Sequence, residues 1–238
     1  MLDPKLIAAL QELSGDDLVS TLRTEIGQLD LADRFTLIHQ LGIYHHPETV
    51  SGAGSTLDET RVLREALPTL VRQEQIRSLL DIPCGDFHWM RYVDLSGVQY
   101  IGADIVPGIV AQNLIRYQSA HRTFVVLDAT QEPLPDVDLV FSRDLLIHLS
   151  LTDIRYVLKN IAASGSRLLL TTHFTSRSEN LDIESGDFRP VNLCCAPFWL
   201  PEPLTVFIED SSLGNGIFRD RGMALWRIAD VQTVLANS

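Results

Sequence analysis

Three apolar runs of this chain each end in a carboxylate: Ile76-Arg77-Ser78-Leu79-Leu80-Asp81, Gln99-Tyr100-Ile101-Gly102-Ala103-Asp104 and Thr123-Phe124-Val125-Val126-Leu127-Asp128. Aspartates gathered at strand ends can accept hydrogen bonds from hydroxyls and balance a cation. Asp81 runs into a tight turn, Ile82-Pro83-Cys84-Gly85-Asp86-Phe87. Gly85, without a Cβ, lets the backbone approach a ligand. Pro83 fixes φ and removes an N–H, so the turn's donors must come from its neighbours. Groups able to move a proton follow. Asp144 and His148 lie in Ser142-Arg143-Asp144-Leu145-Leu146-Ile147-His148, and His173 follows the run Arg167–Thr172. Asp144 is the best candidate for a polar catalytic role. His148 reads as a base, a supporting partner or a core histidine. His173, with its near-neutral pKa, reads as a proton shuttle or as a strand-end histidine bonded to backbone.

The elements that position these groups alternate strand and helix from Ile76 onward, which marks a parallel sheet with right-handed crossovers. A fourth strand is expected at Val137–Ser142 and a fifth at Arg167–Thr172. Pro107 opens the helix after the second strand, and Ser150 with Asp153 caps a helix carrying Ile154, Val157, Leu158 and Ile161. Ligands of such sheets sit in the crevice at the carboxyl ends of the strands. Upstream, Asp3 to about Leu41 has helical periodicity, with stripes at Leu6, Ile7, Leu10, Leu13 and at Leu18, Leu22, Ile26. These helices are expected to cover one side of the sheet or to form an interface, which would be that of a homodimer. A turn-rich loop, Tyr44 to Ser55, leads to a helix that Ser55 and Asp58 are expected to cap.

Composition narrows the classes. The 238 residues carry a formal net charge of −12, which disfavours a nucleic-acid acceptor. Arg61, Arg64, Arg72 and Arg77 read as a solvated helix face. The three cysteines show no zinc spacing, and adjacent Cys194 and Cys195 are poorly placed for a disulfide, so no metal-ligand residues are singled out, while a divalent metal that activates a hydroxyl acceptor stays open. Met1-Leu2-Asp3-Pro4-Lys5 lacks the features of a secretion signal, and no apolar run is long enough to span a bilayer. A cytoplasmic protein with reduced thiols and no membrane partner is expected.

The order and spacing of these runs resemble the class I S-adenosylmethionine-dependent methyltransferases. The family's first motif, an acidic residue followed by alternating glycines, stands here as Asp81-x-Pro83-x-Gly85-x-Phe87, keeping the central glycine. The resemblance implies a Rossmann-like, mostly parallel seven-stranded α/β sheet with helices on both faces. It also implies a terminal antiparallel strand pair, here Leu204–Glu209 and Met223–Ile228 joined through Asn215-Gly216. By the same resemblance Asp104 takes the two ribose hydroxyls and Asp128, with Ala129 beside it, receives the adenine amine. Asp81 orients the methionine end, and Pro83, Cys84, Gly85 and Ser142 complete the cofactor set.

The resemblance spans about Leu79 to Ile228, giving a methyltransferase domain at residues 56–238 and an N-terminal helical extension with a cofactor-proximal loop at residues 1–55. It implies in-line methyl transfer, read here as O-methylation of a small polar molecule or glycan. An NAD-dependent oxidoreductase is the competing enzyme class. Its Gly-x-Gly-x-x-Gly fingerprint is absent, and Asp81 and Asp86 would repel a pyrophosphate but suit a sulfonium. A non-catalytic cofactor-binding scaffold is a further alternative. The irregular segment from Phe174 to Pro203, with Phe188, Phe198, Trp199, Asp187 and Arg189, is expected to form a wall or lid over the acceptor.

Overall fold

The computed structural model describes residues 27–236 together with Ile7 and Leu10. The N-terminal stripes therefore lie outside the described residues, apart from Ile7 and Leu10, which are helical. In chain order the helices are α1 (Leu31–Leu41), α2 (Arg61–Gln73), α3 (Pro107–Tyr117), α4 (Leu151–Ala163) and α5 (Ile228–Ala236). The strands are β1 (Ser78–Asp81), β2 (Gln99–Asp104), β3 (Arg122–Val126), β4 (Leu139–Ser142), β5 (Leu168–Phe174), β6 (Thr205–Ile208) and β7 (Arg221–Arg227). They form one sheet in the order β3-β2-β1-β4-β5-β7-β6. The first five strands run parallel, and β7 is antiparallel to both β5 and β6.

Alternation within the strands builds a core on each side. Leu80 and Val140 face α4 and α5, together with Ile154, Val157, Ile161 and Val231. Their neighbours Leu79, Leu139 and Phe141 face the opposite way, toward Leu67, Leu70 and Val71 of α2 and Val110 of α3. Two-sided burial explains why the central strands read as near-continuous apolar runs.

Local signals set several boundaries. Ser150 caps α4 by accepting the Asp153 N–H at 3.1 Å, and Asp30 does the same for α1 with the Asp33 N–H at 2.8 Å. The expected cap at Ser55 and Asp58 is corrected. Residues Ala53–Ser55 form a separate 3₁₀ turn, Glu48 takes the Leu57 N–H at 2.6 Å, and α2 begins only at Arg61. Ile228, assigned from sequence to the last strand, instead opens α5, because Ile228 and Val231 turn a helical stripe onto the core. No helix among the described residues is long and apolar enough to cross a membrane.

The segment from Phe174 to Pro203 departs from the lid expectation. Val191, Leu193, Phe198 and Leu200 are buried in the core beside Trp226, and Trp199 stands 64% exposed without lining the cavity described below. Only Phe188 of its aromatic side chains reaches that cavity.

Candidate active site

Strand order reverses between β1 and β4, and a cavity of about 430 Å³ opens at the carboxyl ends of these strands. The turn after β1 forms its floor. Since Pro83 has no N–H, the following residues tie the turn down: Cys84 N–H donates to the Ala103 carbonyl at 2.8 Å and Gly85 N–H to Asp104 Oδ2 at 3.1 Å. Asn113 from α3 donates to the Gly85 carbonyl at 2.7 Å. Gly85 has φ +51°, a conformation that favours glycine. Cys84 is buried among carboxylates, and burial pushes its thiol well above the usual range.

Asp86 does not face a ligand alone. Its carboxylate receives Thr49 Oγ1 at 2.8 Å, Val50 N–H at 3.1 Å and Ser51 Oγ at 3.1 Å, which lays the 49–52 loop along the cavity. Glu48 adds a contact to His88 Nε2 at 2.8 Å. The turn after β1 and the loop before α2 are thus stitched together by side chains about 35 residues apart in sequence.

The strand-end carboxylates take distinct environments. Asp104 is buried, with Val106 N–H at 3.0 Å on Oδ1 and Gly85 N–H on Oδ2. Each oxygen keeps a lone pair for a further donor. Burial, opposed by these backbone donors, pushes its pKa up to about 6. Asp81 is also buried and accepts the Tyr100 hydroxyl at 2.5 Å; burial raises it to about 8. Asp128 is held by its own turn, accepting Thr130 N–H at 2.8 Å and Gln131 Nε2 at 2.7 Å. Ala129 lies beside it on the cavity wall, its carbonyl fixed by Asn160 at 2.9 Å.

This donor set fits S-adenosylmethionine. Asp104 offers two oxygens with spare lone pairs to a vicinal diol. Asp81, Asp86, Asp104 and Asp128 all border the cavity, and the two buried ones carry a desolvation cost that a cationic ligand relieves. The same carboxylates oppose the pyrophosphate of a dinucleotide.

At the other end, Asp144 has φ +61° and is held by three neighbours. Its N–H donates to Thr172 Oγ1 at 2.8 Å, and its carboxylate accepts the same hydroxyl at 3.1 Å. Arg221 Nη2 reaches Oδ2 at 2.5 Å, and Arg143 Nη1 stands 3.3 Å away. Both arginines also contact Glu209, through Arg143 Nε at 2.8 Å and Arg221 Nε at 2.9 Å. Arg143 further donates to the Gly54 carbonyl at 2.7 Å. Burial raises the Asp144 pKa, but the two guanidiniums outweigh it and hold the carboxyl below its usual range. Among these groups only Asp144 was singled out from the sequence. Arg221 and Glu209 lie in the terminal strand pair, and no local pattern marks a partner 77 residues away.

His148 closes a 3₁₀ turn after β4 and lines the cavity. Its Nδ1 lies 2.8 Å from the Asp187 carbonyl, which can only accept, so Nδ1 carries the proton and Nε2 the lone pair. Tyr44 packs against it at 4.8 Å in a tilted arrangement; its hydroxyl donates to the Gly186 carbonyl at 2.5 Å, which leaves its oxygen to accept from Nδ1 at 3.2 Å. Phe188 packs on the imidazole at 5.8 Å. Burial keeps His148 below its ordinary pKa.

Three sequence candidates lie elsewhere. His173 is inside β5 rather than after it. Its predecessor Thr172 turns toward Asp144, so the strand's alternation sends His173 to the other face, where Nδ1 accepts the Leu193 N–H at 3.3 Å and Trp226 packs at 5.5 Å. Ser142 is fully buried, its hydroxyl lacks a partner, and its neighbours Phe141 and Arg143 line the cavity in its place. Arg189, expected in the wall or lid over the acceptor, donates to the carbonyls of Leu146 at 2.7 Å, Leu149 at 2.6 Å and Leu181 at 3.1 Å. It braces the turn that presents His148. Among the described residues no group of three His, Cys, Asp or Glu side chains is arranged to hold a metal ion.

Comparison with known proteins agrees with this geometry. Residues 80–164 match the family described as a methyltransferase domain. None of the curated proteins compared with the chain matches it. Among solved structures, human N-acetylserotonin methyltransferase in complex with S-adenosylmethionine superposes with a TM-score of 0.54 at 12% identity, over 87% of this chain and 58% of that one. The chain thus spans little more than half the length of that protein. Magnesium protoporphyrin IX methyltransferase from Synechocystis PCC 6803, with bound S-adenosylmethionine, gives a TM-score of 0.52 at 14% identity over 95% and 98% of the two chains. TehB from Haemophilus influenzae gives 0.50 at 14% identity over 68% and 61%. At such identities these structures speak for the fold alone: the chain has the Rossmann-like fold of the class I S-adenosylmethionine-dependent methyltransferases, and residues 80–164 carry the match to a methyltransferase domain.

Proposed function

We propose that the chain methylates a hydroxyl of a small, neutral, polar acceptor, with His148 removing the proton. The observation that carries this reading is the fixed tautomer of His148, whose Nδ1 is committed to the Asp187 carbonyl while the ring lines the cavity. Burial keeps the imidazole neutral at pH 7, so Nε2 is ready to accept a proton. Asp144 is the weaker base, because two arginines stabilise its ionised form. His173 lies on the other face of the sheet.

S-adenosylmethionine, when bound, supplies a methyl carbon whose bonding electron pair leaves with the cationic sulfur as the acceptor oxygen attacks. The chain's own contribution is alignment, exclusion of water and removal of the hydroxyl proton. Asp104 is assigned to the ribose hydroxyls, Asp128 and Ala129 to the adenine, and Asp81, Pro83, Cys84 and Gly85 to the methionine end. Residues 1–55 are read as an extension whose loop closes on the cofactor side of the domain at residues 56–238.

His148→Gln should leave S-adenosylmethionine affinity unchanged in calorimetry and lower transfer of a labelled methyl group by roughly 10²–10⁴-fold. Full turnover in that variant, or transfer to amines in preference to hydroxyls, would overturn the reading.

A further inference from the structure

The buried ion-pair group at the acceptor end keeps donors without a use, and one of them, Arg221 Nη1, stands at the open space before Gly54. Two guanidiniums, Arg143 and Arg221, face two carboxylates, Asp144 and Glu209. Arg143 has Nε on Glu209, Nη2 on the Gly54 carbonyl and Nη1 beside Asp144. Arg221 is only 5% exposed; its Nη2 donates to Asp144, and its Nε stands 2.9 Å from Glu209 in an ion pair without a hydrogen bond. Its Nη1 has no hydrogen-bond partner among the described residues. Asp144 Oδ1 accepts only Thr172 Oγ1 and keeps a lone pair.

The space before this pair is kept open by a glycine. A Cβ on Gly54 would stand 3.1 Å from Arg221 Nη1 and 3.5 Å from Asp144 Oδ2. Gly54, Asp144 and Arg221 all line the cavity that His148 lines, and His148 feels the charges of both Asp144 and Arg221. The guanidinium and carboxylate charges already cancel, and Glu59 adds a further anion within reach of Arg221. An anionic acceptor would meet no surplus positive charge here.

We infer that Asp144 and Arg221 read a vicinal diol on the acceptor. Asp144 Oδ1 accepts from one hydroxyl, Arg221 Nη1 donates to its neighbour, and Gly54 leaves the room for both. This rests on the proposed O-methylation and deepens it by naming the substrate class. The shared chemistry is two adjacent neutral hydroxyls, whether carried by a sugar ring or a catechol.

The test uses the full chain with S-adenosylmethionine and a defined panel: methyl hexopyranosides, catechol, and the single-hydroxyl controls cyclohexanol and phenol. Labelled-methyl transfer gives KM, and saturation-transfer NMR reports binding without turnover. At least one diol class should be methylated, with KM about tenfold below that of its single-hydroxyl control, and which class wins identifies the source. Gly54→Ala adds a methyl group without changing charge. It should raise the diol KM by about tenfold, weaken the NMR signal in parallel, and leave S-adenosylmethionine affinity within twofold. Asp144→Asn should do the same if it folds; Gly54→Ala carries the test if it does not.

Equal KM values for diols and single hydroxyls, no binding of either diol class, or an unchanged diol KM in Gly54→Ala would each overturn the inference. A single hydroxyl methylated in a His148-dependent way would leave the proposed O-methylation standing while removing the diol, whereas preferential N-methylation would remove both.

Discussion

Gly85 and Ser51 interlock the turn after β1 with the loop before α2. A side chain at position 85 would run into the Ser51 hydroxyl, which itself takes the Asp86 N–H at 3.2 Å and donates to the Asp86 carboxylate at 3.1 Å. The one glycine kept in this motif thus serves a contact within the chain as well as approach to a ligand.

Gly85→Ala should therefore act twice. A left-handed φ of +51° costs alanine about 1–2 kcal/mol, a fall in Tm of roughly 2–8 °C, and the new methyl group pushes the 49–52 loop off Asp86. S-adenosylmethionine affinity should drop by about tenfold in calorimetry. A variant with parental Tm and affinity would show that the two loops do not depend on each other.

Asp81 predicts a pH dependence. Burial raises its pKa from 3.8 to about 8, so the folded chain keeps a proton that the unfolded chain releases. Folding stability without ligand should fall as pH rises between those two values, and Asp104 adds to the fall between 3.8 and about 6. Asp81→Asn, which keeps an acceptor for Tyr100, should flatten most of this slope and raise Tm at pH 8, while weakening binding of the cationic cofactor. Thermal melts across pH 5–8 decide it: parallel profiles for parent and variant would place the titration elsewhere.

What the sequence disclosed follows from the range of the forces involved. The strand-end aspartates, the Ser150–Asp153 cap and the parallel alternation of strands and helices rest on local periodicity and on rules of sheet connection. They were legible because neighbouring residues carry the signal. The acceptor end rests on contacts that cross the chain: Asp144 with Arg221, His148 with the Asp187 carbonyl, Tyr44 with Gly186. His173 shows how small the margin is. β5 runs two residues past Thr172, so His173 lies inside the strand and its alternation turns the ring to the core instead of the cavity.

The two histidines should therefore respond in opposite ways. Burial lowers the His173 pKa to about 4 from 6.5, so the unfolded chain takes up a proton first and stability falls as pH drops through that interval. His173→Gln should reduce this acid sensitivity and keep methyl transfer within a few-fold. His148→Gln should lower transfer by roughly 10²–10⁴-fold with little change in S-adenosylmethionine affinity. Loss of turnover in His173→Gln at parental stability would return that residue to the reaction.

Arg189 offers a positioning test. Its guanidinium spans the carbonyls of Leu146 and Leu149, which flank the turn holding His148. Lysine has the charge without the fork. Arg189→Lys should lower kcat more than it raises the acceptor KM and should shift the acid limb of the kcat profile, because the imidazole is less firmly held. A Tm loss with an unchanged pH profile would make Arg189 purely structural.

The segment from Phe174 to Pro203 can be divided by two phenylalanines. Phe198 is 4% exposed within the core, and Phe198→Ala should cost about 3–5 kcal/mol, with cofactor affinity falling as the fold loosens. Phe188 is 43% exposed, yet it packs on His148 at 5.8 Å and on Phe218 at 5.4 Å at the cavity wall. Its truncation removes little buried surface but opens the wall beside the proposed base to water. Phe188→Ala should therefore raise the acceptor KM and lower turnover by about tenfold or more, with Tm and S-adenosylmethionine affinity close to the parent's. Should Phe188→Ala destabilise the chain as much as Phe198→Ala, the whole segment is core and no part of it is set aside to shield the acceptor.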